Sequence, residues 1–357
     1  MRLTNGWFRR RDFLKLPLAG AAARALPASR KDEHDPDNTK IATQISATSA
    51  TDDDLLFLKQ IGLRWVHAGF GRDATFEVMK SGQERLARYG LKIHSGITGL
   101  YSSLRIQLGQ PGRDEDIEKF QTFIRNLGRL GVFSVKIDFH PANTYTTNTI
   151  ETPRGYRARE FNLDDFRNKL EKRRFEREYS VEDIWTNYTY FIKAVLPVAE
   201  KADVRLALHP DDPPVAMMNG VGKMFVHYDG IKRAEQIAGG SKHFGLTFCI
   251  GTWSEGGDKM GQDVFGMIRD FGARGKIFAV HFRNVSSPLP RFHETFLDDG
   301  YLDMYAVMKA LRQVRCTASL IPDHYPALAG DTNRRIAEAY IIAYMRSLLR
   351  RANEEVG

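Results

Sequence analysis

The sequence predicts an α/β protein built as one closed (β/α)8 barrel over residues 40–357. Short apolar runs rich in β-branched and aromatic residues alternate with longer amphipathic stretches from Lys40 onward. Eight such runs, each followed by a helical stretch, are typical of a closed barrel. The alternative is an open doubly wound sheet, which often carries a phosphate-binding glycine motif, but no GxGxxG opens a helix in this sequence.

The eight strand candidates are short and evenly distributed along the chain. They read, in chain order, IATQIS (from Ile41), RWVHAGF (Arg64), KIHSGIT (Lys92), FSVKIDF (Phe133), VRLALH (Val204), GLTFCI (Gly245), IFAVHFRN (Ile277) and SLIPDH (Ser319). Between them, apolar residues recur at helical spacing, as Leu55, Leu58 and Ile61 do in DDDLLFLKQIG. Further helical patterns are DEDIEKFQTFIRNLGRLG, SVEDIWTNYTYFIKAVLPVAEKA, YLDMYAVMKALRQV and RRIAEAYIIAYMRSLLRRA.

One excursion, residues 143–178, follows the fourth strand and is too long for an ordinary connection. Two interpretations stay open. Its charged second half would form a solvated helix over the barrel rim, or the excursion would form a lid over the barrel mouth. In the second case the arginines Arg154, Arg157 and Arg159 would meet an anionic substrate.

Residues 1–39 are interpreted as a signal peptide followed by a polar linker. The stretch Arg10-Arg11-Asp12-Phe13-Leu14-Lys15 precedes a small-residue apolar run and resembles a twin-arginine export signal. The expected location is therefore periplasmic or exported. The alternative is a basic tail without a targeting role, which would leave the protein in the cytoplasm.

The net charge of +8 gives little support for a nucleic-acid partner. The first 28 residues hold six basic residues and one acidic residue, so most of the excess lies in the leader. The basic residues are not interleaved with a pattern of stacking aromatic residues. No apolar run reaches the roughly 18 residues of a membrane helix, so we expect no membrane span.

Four potential metal ligands stand at the ends of strands five to eight: His209, Cys249, His281 and Asp323. Taken singly, each has an ordinary explanation as a structural histidine, a small core residue or a turn acceptor. Together they favour a divalent transition-metal site, because barrel enzymes place their chemistry at the carboxyl ends of the strands. Residues in or near strands that could reach the same mouth are His67, His94, Asp138 and His140.

The segment ALHPDDPP surrounds the first of these ligands. Asp211 and Asp212 would orient His209 or bind substrate hydroxyl groups, and the prolines would stiffen the loop.

Several long blocks resemble the mannonate dehydratase family, within the xylose-isomerase-like TIM barrels. They are LGQPGRDEDIEKFQTFIRNLGRLG (from Leu108), LALHPDDPP (Leu206), GLTFCIGTWSE (Gly245), HFRN (His281), FHETFLDDGYLDMYAVMKAL (Phe292) and PDH (Pro322). The resemblance implies a lyase that removes water from a six-carbon sugar acid, D-mannonate, to give 2-keto-3-deoxy-D-gluconate. It also implies a divalent metal, Mn²⁺ first with Fe²⁺, Co²⁺ or Zn²⁺ as alternatives, held by the four strand-end residues.

The resemblance also assigns roles beyond the metal. His324 matches a histidine proposed for proton transfer in the family. Apart from the resemblance, Arg283 and Asn284 stand just past a ligand, where they would hold the substrate carboxylate. Arg283 could instead pair with a rim acid, Asp211 or Glu294. His140 and Arg157 complete the expected substrate-binding set.

The residues expected to contact the substrate depart from the family pattern. After the fourth strand this chain has DFHPANTY where the family has an apolar run with Met-Pro, and Tyr325 stands where the family typically has glycine. A family tyrosine that aids proton transfer has no clear counterpart, so Tyr325 or Tyr145 would take its place. The expected metal ligands match the family pattern more closely.

Two other functions compete with the dehydratase. One is a sugar isomerase or epimerase on the same barrel, although such enzymes mostly use Glu and Asp ligands. The other is a non-catalytic exported carbohydrate-binding barrel. Turnover of aldonic acids with bound metal would separate the dehydratase from both. The expected partner is a small-molecule sugar acid, and a homo-oligomer is also considered.

Overall fold

The computed structural model describes residues 33–72 and 74–357. Its strands are β1 (Lys40–Ser46), β2 (Trp65–Gly69), β3 (Lys92–Ile97), β4 (Ser134–Ile137), β5 (Asn148–Glu151), β6 (Arg157–Asn162), β7 (Arg205–Leu208), β8 (Met217–Met218), β9 (Val221–Gly222), β10 (Phe244–Cys249), β11 (Ile277–His281), β12 (Asn284–Val285), β13 (Arg291–Thr295) and β14 (Ser319–Ile321). Its helices are α1 (Asp52–Gln60), α2 (Phe76–Arg88), α3 (Leu104–Leu108), α4 (Arg113–Arg129), α5 (Leu163–Asp165), α6 (Val181–Ala202), α7 (Tyr228–Ile237), α8 (Ile250–Gly256), α9 (Val264–Met267), α10 (Met304–Gln313) and α11 (Arg335–Val356).

Eight parallel strands close into the predicted barrel, in the order β1-β14-β11-β10-β7-β4-β3-β2. Each of the eight predicted runs supplies one of these strands, so the fold prediction is confirmed. The strands are buried on both faces, as β10 and β11 are along their whole length. This burial explains why they are continuous apolar runs rather than alternating ones.

The predicted helices form because their ends are capped and their apolar faces pack on the barrel. Thr51 begins α1 with a capping box to Asp54, and Ser180 begins α6 in the same way. Leu55 and Leu58 of α1 are buried. Among the helices without a predicted counterpart, α2 and α7 are the longest, and side chains of Thr75 and His227 cap their first turns.

The excursion forms a β-hairpin rather than a charged helix. Strands β5 and β6 join β13 and β12 in a four-stranded sheet. Only residues 163–170 of the second half are helical, so the prediction of a helix there is wrong for most of its length. The physical reason is a second small core, in which Phe161, Phe166 and Phe292 pack together and draw the chain into strand pairing.

Within the described ranges, no helix combines the length and the apolar character needed to cross a bilayer. The predicted signal peptide, apart from the end of its polar linker, lies outside the described residues.

Candidate metal centre and active site

Three predicted ligands converge at the carboxyl ends of neighbouring strands. His209 directly follows β7, Cys249 ends β10 and His281 ends β11, and these strands are adjacent in the barrel. All three side chains are buried. One ligand atom from each lies within 4.8 Å of the other two, and His209 Nε2 lies 3.1 Å from His281 Nδ1.

Asp323, the fourth predicted ligand, lies at the edge of this cluster. It lies two residues after the end of β14 at Ile321, and its backbone is in the left-handed region with φ 57°. Its Oδ2 lies 3.1 Å from His281 Nδ1 and 3.4 Å from Arg283 Nε. Burial acts to raise the pKa of Asp323, but the imidazoles of His281 and His324 and the nearby guanidinium hold that pKa well below its usual range.

The donor set fits a divalent transition metal. The Nδ1 of His209 lies 2.7 Å from the Pro210 carbonyl oxygen, and donation there leaves the Nε2 lone pair facing the cluster. Burial lowers the pKa of His209 and of His281, which keeps both imidazoles neutral as metal ligation requires. Burial also raises the pKa of the Cys249 thiol to about 12, so a thiolate at this position needs a cation beside it.

An inner cavity of about 290 Å³ opens in front of the cluster. Its lining residues are Lys136, Asp138, His140, Tyr145, Arg159, His209, Asp212, His281, Asp323 and His324. The predicted site residues His140 and Asp212 are therefore brought together with the metal ligands. His140 is held in place because its Nε2 donates to the Pro210 carbonyl oxygen at 2.8 Å.

His324 is positioned by a chain of charged groups. Its Nδ1 lies 3.0 Å from Glu294 Oε1, and its Nε2 lies 3.8 Å from Asp323 Oδ2 on the cluster side. Arg159 donates two hydrogen bonds to the same Glu294 carboxylate. Burial acts to raise the pKa of Glu294, but these partners lower it to about 2. A fixed carboxylate on Nδ1 leaves Nε2 as the reactive nitrogen.

Arg283 lies under the cavity floor and is engaged by protein carboxylates. Its guanidinium donates to Glu255 Oε1 and to Asp212 Oδ2, each at 2.7 Å, and its side chain is only 2% exposed. The predicted direct contact with a substrate carboxylate is therefore not available, and the pairing partners are not Asp211 or Glu294. Arg283 instead braces Asp212, which lines the cavity.

Two other predicted substrate-binding residues serve the loops. Asp211 is fully buried, and its Oδ2 accepts from the backbone N–H groups of Met224 and Phe225 at 3.1 and 2.8 Å. The amide of Asn284 donates to the carbonyl oxygens of Leu297 and Leu302. Neither residue lines the inner cavity. Both stand next to metal ligands in the sequence, but their side chains are engaged in hydrogen bonds with these backbone groups.

Arg157 and Tyr325 line an outer cavity of about 470 Å³. Arg159, Asp323 and His324 line both cavities, so the two form one cleft. Burial raises the pKa of Tyr325 to about 12. Tyr145, the other candidate for proton transfer, lies in the inner cavity.

Lys136 is the main inner residue that sequence reasoning missed. Its Nζ lies 3.3 Å from Asp138 Oδ2, which also accepts from the Tyr101 hydroxyl at 2.9 Å. Burial acts to lower the pKa of Lys136, but Tyr101 and Asp138 outweigh it and raise that pKa. The available signal was a lysine inside the apolar run FSVKIDF, where a barrel strand places alternate side chains inward.

His67 and His94, considered as further candidates, do not reach the mouth. Both are buried inside the barrel, where they flank the Ser319 hydroxyl at 2.6 and 2.8 Å. Burial lowers the pKa of both imidazoles, so they stay neutral core residues.

A closed eight-stranded barrel with a His-Cys-His donor cluster at its strand ends defines an enzyme of the xylose-isomerase-like TIM-barrel class with a candidate metal centre. Comparison with known proteins narrows this class. The model of the D-mannonate dehydratase (UxuA) family matches residues 151–350. Mannonate dehydratase of Streptococcus pneumoniae (strain 70585) is 31% identical over 258 residues, which cover 64% of this chain and 68% of that protein.

Solved structures agree with this match. The mannonate dehydratase from Streptococcus suis serotype 2 superposes with a TM-score of 0.80 at 27% identity, covering 90% of this chain and 96% of that one. An L-ribulose 3-epimerase, at 15% identity and a TM-score of 0.56, shares the fold. The chain therefore belongs to the D-mannonate dehydratase family, whose members are hydro-lyases.

Proposed function

We propose that this chain removes water from D-mannonate to give 2-keto-3-deoxy-D-gluconate, with a divalent metal at the His209–Cys249–His281 cluster. The observation that carries the proposal is the position of His324, a hydrogen-bonded imidazole that lines the same cavity as this cluster. Mn²⁺ is the proposed metal, and Fe²⁺, Co²⁺ and Zn²⁺ are the alternatives that the nitrogen and sulfur donors also suit.

Asp323 is proposed as the fourth ligand, since its carboxylate borders the cluster beside His281. When bound, the cation supplies positive charge that stabilises negative charge on the substrate carboxylate. The residues around the cluster then bind and orient the acid and move its protons.

His324 is proposed to take the proton from C2 at its Nε2. The Glu294 carboxylate on Nδ1 holds the ring and stabilises the imidazolium that forms. The electron pair left at C2 forms the C2–C3 double bond as the C3–O bond breaks, and the departing hydroxyl takes a proton from Tyr145 to leave as water. The enol then loses its O2 proton and gains a proton at C3, which gives the 2-keto acid. Tyr145 lines the same cavity and is proposed to stand near the leaving hydroxyl.

Lys136 is proposed to bind an oxygen of the substrate. Its side chain lines the inner cavity and its ammonium group forms an ion pair with Asp138 at 3.3 Å, and Asp323 is a further carboxylate close enough to act on its charge. A charge-assisted hydrogen bond from this group would fix the sugar acid next to the cluster. This assignment replaces Arg283, which is held beneath the floor by Glu255 and Asp212.

Export through the predicted twin-arginine leader is also proposed. It is supported by the order RRDFLK before a small-residue apolar run. Cell fractionation of the full chain and of an Arg10→Lys/Arg11→Lys variant tests it. A periplasmic signal that the variant abolishes supports export, and an unchanged distribution overturns it.

The activity is tested by a keto-acid assay on the purified, Mn²⁺-loaded protein with a panel of aldonic and uronic acids that includes D-mannonate. The expected result is a 2-keto-3-deoxy acid from D-mannonate, with loss of product after chelation and return of product after divalent metal is added. Product from a different acid, and none from D-mannonate, would keep the dehydratase reaction and assign it that other acid as substrate. Binding of metal without product from any acid would overturn the dehydratase proposal.

A further inference from the structure

The outer cavity extends the cleft beyond the inner cavity that adjoins the metal cluster. It is larger than the inner cavity, about 470 Å³ against about 290 Å³. Arg159, Asp323 and His324 line both cavities, whereas His209 and His281 line only the inner one. A substrate with one end at the cluster can therefore extend past His324 into the outer cavity.

The outer cavity carries positive charge that the protein does not neutralise. Three arginines line it: Arg157, Arg159 and Arg334. Arg159 is paired with Glu294. Neither Arg157 nor Arg334 forms an ion pair with a carboxylate among the residues that the structure describes. Elsewhere on this rim arginines do find such partners, as Arg154 pairs with Asp298 at 3.2 Å.

These two arginines are held in place by their surroundings. The backbone N–H and carbonyl oxygen of Arg157 are both hydrogen-bonded to Ala327, at 3.1 and 2.8 Å, which joins the excursion hairpin to the loop after β14. The guanidinium of Arg334 stacks on the Tyr325 ring, 4.5 Å from its centroid, and donates to the Tyr325 carbonyl oxygen. The stacking pre-positions the Arg334 guanidinium, which lowers the entropy lost when an anion binds, and the backbone pairing fixes where the Arg157 side chain starts.

We propose that the outer cavity is a second anion subsite, formed by Arg157 and Arg334. Beside D-mannonate, the cleft then also takes sugar acids with a second anionic group, a carboxylate or a phosphate, at the end away from C1. The inference rests on the proposed function, which places the C1 carboxylate at the metal cluster. Guanidinium groups bind carboxylates and phosphates through paired hydrogen bonds, so either anion meets the chemistry of the subsite.

The test compares the binding of three acids to the metal-loaded, full-length protein by titration calorimetry. The probes are D-mannonate, D-mannarate (a carboxylate at C6) and D-mannonate 6-phosphate. The proteins are the wild type, the Arg157→Gln/Arg334→Gln double variant and an Arg167→Gln control. Arg167 is an exposed arginine on the same excursion, and it does not line either cavity.

The wild type and the control are expected to bind at least one dianionic acid about 10-fold tighter than D-mannonate, a difference typical of one charge-assisted contact. In the double variant this preference falls to within about 2-fold. Tighter binding of only D-mannarate identifies a carboxylate subsite, and tighter binding of only the phosphate ester identifies a phosphate subsite.

Three results overturn the inference: dianions that bind no tighter than D-mannonate, a preference that survives in the double variant, or no binding of any acid. Failure of the proposed function is read separately, as the absence of keto-acid product from D-mannonate. The binding comparison does not depend on turnover, so the two outcomes remain distinguishable.

Discussion

The metal end and the outer end of the cleft are built in different ways. At the metal end, His209, Cys249 and His281 stand on or directly after adjacent strands of the closed barrel and are buried. At the outer end, Arg157 comes from the excursion hairpin and Arg334 from the loop that precedes α11, and both are exposed. The barrel's own hydrogen bonds determine the first arrangement, whereas contacts between two loops determine the second.

The comparison shows which part of a TIM-barrel active site is fixed by the barrel and which part can vary with the substrate. Ligands at strand ends move only if the barrel deforms. Loop residues can be exchanged at little cost to the core. Lys136 combines features of both ends: a barrel strand holds its backbone, and its side chain lines the inner cavity. Substitutions at the metal end should therefore act differently from substitutions around the substrate.

The largest effect is expected for Cys249→Ala at the metal end. Loss of the thiolate ligand should lower bound metal and reduce turnover by on the order of 1,000-fold or more, because several kcal/mol of charge stabilisation depend on the cation. Metal analysis together with the keto-acid assay measures both. The control is Cys316→Ala, a buried free cysteine that precedes β14 and so lies at the opposite end of the barrel. Full activity in Cys249→Ala would remove Cys249 from the proposed ligand set.

A smaller loss, without loss of metal, is expected for His324→Asn. General-base catalysis contributes roughly 100-fold to 10,000-fold, so kcat should fall within that range. Bound metal should stay at the wild-type level, because His324 lies outside the three-residue cluster. Metal analysis measures the bound metal, and steady-state kinetics measure kcat. An unchanged kcat would assign proton transfer to another group, with Tyr145 next in line.

Lys136→Met should weaken substrate binding more than it slows the chemical step. Removing one charge-assisted hydrogen bond of about 1.5–3 kcal/mol corresponds to roughly a 10-fold to 100-fold fall in kcat/KM. We expect most of the fall to be in KM, with Lys136→Arg retaining part of the affinity. If KM is unchanged in Lys136→Met while kcat falls, the lysine acts in the transition state and not in binding the sugar acid.

The smallest effect is on stability and follows from the pKa of Glu294, which is about 2 in the folded chain against an ordinary value of 4.5. A depressed carboxyl pKa stabilises the folded state above the unfolded-state pKa. That stabilisation is lost as pH falls from about 4.5 through about 2. Glu294→Gln should therefore lower the free energy of unfolding by up to about 3 kcal/mol at pH 7.

The difference between Glu294→Gln and the wild type should shrink as pH falls below about 4.5, which denaturant unfolding at a series of pH values measures. The side chain of Glu294 is only 8% exposed, but those of Arg159 and His324 are 40% and 33% exposed, so solvent screening brings the effect below this upper bound. A difference that stays constant with pH would show that packing, rather than the charge of the Glu294 carboxylate beside Arg159 and His324, accounts for the effect.

The sequence identified most of the barrel and the metal end because both depend on local pattern. Apolar runs mark strands, and the residue that ends a parallel barrel strand lies at the mouth whatever the loops do. His209, Cys249 and His281 could therefore be found together by their positions in the sequence alone. Asp211 and Asn284 could not be judged in this way, since their side chains turn to backbone groups of distant loops.

What the sequence by itself determined about this protein is a (β/α)8 barrel with a His-Cys-His cluster at its mouth, since strand periodicity fixes which residues end each strand. Only the tertiary structure decided the partners of the charged residues. It placed Arg283 beneath the floor, Lys136 in the inner cavity and Glu294 behind His324. The physical reason is that ion pairs and cavities join residues far apart in the chain, where charge and burial depend on the packed loops rather than on local pattern.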